Sequence, residues 1–148
     1  MAEFDVIIKG GMVVDGTRLP RYQAATTAIE DMLLKWAELW VGIRTSRPGD
    51  LGSRYAAFTD VGLSVTARID EALLVAGDTV VPRLEEVQEA ARALDKHTND
   101  LIERVTNGAQ AQGWDDKDPI QTEADELRKA LRTRRHGLVD TARAELTS

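Results

Sequence analysis

The chain has 148 residues, 25 acidic against 19 basic side chains, a formal net charge of -6 and no cysteine. That length can bury one core without a stapling metal or disulfide, and the missing thiols exclude disulfides, thiolate zinc sites, iron–sulfur clusters and cysteine nucleophiles. The negative balance argues against non-specific nucleic-acid binding, no apolar run has the length of a membrane span, and Met1-Ala2-Glu3-Phe4-Asp5 lacks the basic start of a signal peptide. The expected localisation is therefore cytoplasmic, with leaderless export as the alternative.

The first 22 residues differ from the rest. Phe4-Asp5-Val6-Ile7-Ile8 and Met12-Val13-Val14-Asp15 are β-branched runs around Gly10-Gly11, which reads as a β-hairpin over 4–15. Arg18-Leu19-Pro20-Arg21 reads as a connector, because Pro20 disfavours helix just before it. The chain thus divides into an N-terminal segment, 1–22, and a helical domain, 23–148.

From Thr26 the period becomes helical. Thr27 with Glu30 has the form of a capping box. Ile29, Met32, Leu33, Trp36, Leu39, Trp40 and Ile43 fall at steps of three and four, predicting a helix over about 26–44. The breaker-rich run from Ser46 to Gly52 ends it. Ser53 is the expected cap of a second helix, 53–76, with Tyr55, Phe58, Gly62, Val65, Ile69, Leu73 and Ala76 along one side.

Gly77-Asp78-Thr79 predicts a break, with Asp78 or Thr79 capping a third helix and Pro82 in its first turn. Over 79–107, Val80, Leu84, Val87, Ala91, Leu94, Thr98, Leu101 and Val105 alternate steps of four and three without a slip, which is a heptad seam. Asn107-Gly108 stops it. After a polar loop containing Trp114, Asp118-Pro119-Ile120-Gln121 opens a fourth helix, 118–146, carrying Ile120, Ala124, Leu127, Leu131, Leu138, Ala142 and Leu146. Arg134 stands where the seam expects an apolar residue. The fold class is mainly α: a four-helix bundle with a short N-terminal hairpin.

Phe4 to Thr17, followed by Pro20-Arg21-Tyr22, resembles the opening hairpin of the D-aminoacylase branch of the amidohydrolases. That family places its hairpin in a small β-sandwich beside a metal-bearing barrel. The barrel's His-x-His pair is missing here, since the only histidines are His97 and His136, and the chain is too short for the barrel. No catalytic residue carries over. Trp40-Val41-Gly42 resembles the Trp-x-Gly turn of the helical-hairpin proteins exported by type VII secretion, although a long, proline-bearing loop and two further helices follow.

No other pattern reaches the form of a catalytic or metal site. Leu94 and Thr133 stand where a di-iron bundle needs glutamate three residues before each histidine, so His97, Asp100 and Glu103 read as a solvated face. Asp115, Asp116 and Asp118 lack the order of an EF-hand. Phosphate loops and the serine-nucleophile motifs are missing. Arg132, Arg134 and Arg135, with His136, form a local basic cluster that offers either a contact patch or a solvated face. Arg134 is expected to snorkel outward or to meet a carboxylate such as Asp70 or Glu71.

The sequence therefore predicts no catalytic residue, metal or cofactor. Its leading expectation is a non-catalytic interaction or assembly protein, associating with itself or a protein partner through Val80, Leu84, Val87, Leu94, Leu101 and Val105. The alternatives are a small-ligand module or sensor with Trp36, Trp40, Tyr55 and Phe58 lining a pocket, a protein related to the type VII hairpins, and last an amidohydrolase accessory fragment.

Overall fold

The computed structural model describes residues 18–45, 48–107 and 119–147. They form four helices: α1 (Arg18–Thr45), α2 (Pro48–Leu73), α3 (Val81–Thr106) and α4 (Pro119–Thr147). No strand occurs among the described residues. The expected hairpin over 4–15, the loop with Trp114 and the cap Asp118 lie outside them.

Cross-helix contacts fix the topology. Gly42 on α1 lies against Arg54 on α2, and Arg21 donates to the Glu71 carbonyl near the opposite end. Gln88 on α3 reaches Asp70 on α2, and His97 faces Glu123 on α4. Arg135 on α4 bonds to the Thr26 carbonyl on α1. Each helix runs antiparallel to its neighbours around the ring α1–α2–α3–α4, and α1 packs most extensively against α2. The core is one cluster fed by all four helices, with Ile29, Met32 and Leu39 meeting Phe58, Ile69, Leu84, Leu94, Leu131 and Leu138.

Helix boundaries move where tertiary contacts override local signals. α1 begins at Arg18, not near 26, so residues 18–22 belong to the bundle and the connector reading fails there. Pro20 sits in the first turn, where its missing N–H costs nothing. Tyr22 and Ala25 extend the buried stripe backward, giving that extra turn a core to pack on. Thr27 and Glu30 are mid-helix and form no capping box; the neighbouring Thr26 hydroxyl donates back to the Tyr22 and Gln23 carbonyls.

Two more expected caps are displaced. α2 opens on Pro48, so Ser53 lies inside it, and α2 stops at Leu73 rather than 76. The cap of α3 is Val80, with no side-chain bond, while Asp78 and Thr79 are exposed. The connector backbone does the capping: the Val80 and Val81 N–H groups donate to the Gly77 carbonyl at 3.0 and 3.1 Å.

The heptad of α3 faces inward throughout. Val80, Leu84, Val87, Ala91, Leu94, Thr98 and Leu101 are buried by the chain's own helices, and Val105 is half-buried. On α4 the polar residue in the seam is Arg135, 8% exposed, rather than Arg134. Ala124, Leu131 and Leu138 keep their seven-residue spacing in the core, and between the last two the inward step is four residues rather than three, either being close to the 3.6-residue turn.

Candidate functional site

Two polar clusters tie α4 to α1. At one end the Tyr22 hydroxyl donates to Glu145 Oε2 at 2.5 Å and accepts from the Gly77 N–H at 3.4 Å. Arg18 completes the cluster, bonding to the Val75 carbonyl at 2.8 Å and pairing with Glu145 at 3.4 Å. Burial, reinforced by the Glu145 carboxylate, pushes the Tyr22 phenol well above its ordinary value of 10.0. Midway along, Arg135 donates to the Thr26 carbonyl at 2.9 Å and pairs with Glu30 at 3.3 Å. These groups are saturated within the chain, which is the pattern of structural clasps.

The expected basic cluster is therefore dispersed. Arg135 is consumed in the core; Arg134 points outward and pairs with Glu86 at 3.7 Å, not with Asp70 or Glu71; Arg132 is exposed. The four aromatics part company as well. Trp36 and Phe58 are buried in the core, and Trp40 stacks on Trp36 with centroids 5.5 Å apart. The Tyr55 hydroxyl donates to Asn99. Gly42 of the Trp-x-Gly triplet lies inside α1, where the Arg54 side chain crosses it.

Two grooves among the described residues are lined by other side chains than those aromatics. The smaller, about 120 Å³, runs between α2 and α3 beside Gly62, Leu63 and Asp95. Burial raises the Asp95 carboxyl above its ordinary 3.8, and the hydrogen bond from the Asn99 side chain opposes that rise.

The larger groove, about 410 Å³, lies between the second half of α3 and the first turns of α4. Leu101, Ile120 and Leu127 supply its apolar wall; Lys96, His97, Asp100, Arg104 and Glu123 supply its polar groups. The heptad explains the placement. With Leu94, Thr98 and Leu101 directed at the core, Lys96, Asp100 and Arg104 fall in a row at i, i+4 and i+8 toward the groove. Among the described residues these three charges form no ion pair. The His97 side chain is 11% exposed, with Nε2 3.5 Å from Glu123 Oε2. Its Nδ1 is buried without a hydrogen-bond partner, a condition that carries a free-energy cost in a folded protein.

The sequence identified His97 and Asp100 but grouped them with Glu103 on one helix. The decisive neighbours, Glu123 and Ile120, come from α4, and only antiparallel pairing brings them across. Groups of three or more acidic or histidine side chains able to hold a metal do not occur among the described residues. Comparison with family models, with curated proteins and with solved structures finds no match to the chain.

Proposed function

We propose that this chain is a non-catalytic helical module that binds a small molecule between α3 and α4. The observation that carries the reading is the groove of about 410 Å³ in which an apolar wall of Leu101, Ile120 and Leu127 faces His97, Asp100, Arg104 and Glu123. Ligand sites in bundles form between facing helices and combine an apolar lining with a few convergent polar groups; Leu101, Ile120 and Leu127 beside His97, Asp100 and Arg104 have that composition. The heptad residues are engaged in the chain's own core, which lowers the weight of association through them.

The test is a panel of small soluble compounds followed by the imidazole NMR signals of His97, with the exposed His136 as internal control. Saturable shifts at His97 alone, with binding of the same compound by calorimetry weakened in His97→Phe, support the reading. A panel that moves neither ring overturns it.

Association remains the second reading, on a different surface. Leu34 and Val41, seven residues apart on α1, are 57% and 54% exposed, and Leu63 and Leu74 are exposed on the second helix and just beyond it. Rows of exposed large apolar side chains are a feature of contact surfaces. Sedimentation across the micromolar range decides: a strict monomer removes the self-association form of this reading, and a concentration-dependent dimer weakened by Leu34→Ser with Val41→Ser supports it.

A further inference from the structure

The charges around the α3–α4 groove are arranged by helical spacing, and their signs alternate. Lys96, Asp100 and Arg104 read plus, minus, plus along α3, and Glu123 adds a second carboxylate from α4. One turn separates successive members, about 6 Å of rise. Such side chains on a helix ordinarily pair with one another at i, i+4; here Lys96, Asp100 and Arg104 are left unpaired among the described residues. A ligand of one charge would be attracted by half of this set and repelled by the other half. A ligand carrying both charges a few ångströms apart is complementary to all of it.

We propose that the groove takes a small zwitterion with an apolar arm, the chemistry of a free apolar α-amino acid; this rests on the ligand-binding reading above. The ligand carboxylate meets the Arg104 guanidinium, whose planar fork suits a carboxylate. The ligand ammonium meets Asp100 and Glu123. The apolar arm lies on Leu101, Ile120 and Leu127. His97 lines the same wall, with its Nε2 facing Glu123. A volume of about 410 Å³ is ample for a molecule of this size.

The experiment compares three probes by calorimetry and by backbone-amide NMR on the full chain: L-leucine, its methyl ester, which keeps only the positive charge, and 4-methylpentanoate, which keeps only the negative one. Leucine is expected to bind about fivefold more tightly than either half-ligand, since an ion pair with the exposed Arg104 or Asp100 is worth up to about 1 kcal/mol. Arg104→Gln should weaken leucine and the acid but spare the ester. Asp100→Asn should weaken leucine and the ester but spare the acid. Both substitutions are at exposed positions, and unchanged circular dichroism verifies the fold. Equal binding of leucine and one half-ligand, or loss of all three probes in either variant, overturns the zwitterion assignment. If leucine fails while other compounds still shift His97, the assignment falls and the groove remains a ligand site. If nothing shifts His97, both fall together.

Discussion

Tyr22 is the residue whose chemistry the fold most alters. Its phenol is buried and donates a hydrogen bond to Glu145, so the native state holds that proton more tightly than the unfolded chain does. A group whose folded pKa is raised contributes stability that is fully present below its unfolded value, near 10, and lost as pH rises beyond it. Stability should therefore decline from about pH 10 upward, and Tyr22→Phe should flatten that decline while lowering stability at neutral pH. Urea unfolding at pH 8, 10 and 11 reads both effects. Absorbance titration of a Tyr55→Phe background, in which Tyr22 is the only tyrosine, should show ionisation well above 10. Gly77 belongs to the same cluster. A Cβ there would stand 1.7 Å from Glu145 Oε1, so Gly77→Ala must push the carboxylate off its partners. The Glu145 side chain can swing away, which limits the cost to the displaced charge-assisted bonds, about 1–3 kcal/mol. A Gly77→Ala protein as stable as the parent in urea would show that the clasp contributes little.

Among the elements, the α1–α4 pair stands apart because buried polar groups cross it. Arg135 reaches across from α4, and its removal has two separable consequences. Glu30, its ionic partner, is largely exposed and regains water when the guanidinium leaves; the Thr26 carbonyl lies within α1. Arg135→Met, which keeps the volume, should thus stay within about 1 kcal/mol of the parent or exceed it. Arg135→Ala empties the same space and should lose about 2–4 kcal/mol. Equal losses in both variants would mean that the ion pair, not packing, dominates. Arg135 also shows how far the sequence could be read. The apolar periods of all four helices were legible, and so was the break before residue 80, because burial imposes a pattern on the chain itself. The one-position difference between Arg134 and Arg135 was not, since steps of three and of four both follow a 3.6-residue turn and only the facing helix, with its Thr26 carbonyl, selects between them. For the same reason the start of α1 was misread: the contacts that hold its first turn, Tyr22 to Glu145 and Arg18 to Val75, span the molecule. The groove was half legible, its α3 row being local and its α4 wall not.

The whole molecule is two antiparallel helix pairs, α1–α2 and α3–α4, joined by the connector at residues 74–80, and the question is whether either pair stands alone. The core argues that neither does. Leu84 and Leu94 on α3 and Leu131 and Leu138 on α4 are fully buried in one cluster shared with Phe58, Ile69 and Leu39 of the first pair. Each such side chain contributes about 1.5–3 kcal/mol on burial, against a total stability of about 5–15 kcal/mol for a domain. Exposing even half of that shared surface would consume most of the margin. Asp78 and Thr79 are exposed in the connector, so the chain can be divided between them without entering a helix. The fragments 1–78 and 79–148 are each expected to lose much of their helical circular dichroism when separate. Mixed one to one, they should recover the intact signal and unfold in a single transition, because the shared core and the Tyr22–Glu145 and Arg135–Thr26 bonds all cross the cut. A first fragment that keeps its full helicity and unfolds cooperatively by itself would instead make α1–α2 an autonomous hairpin, with the second pair docked upon it.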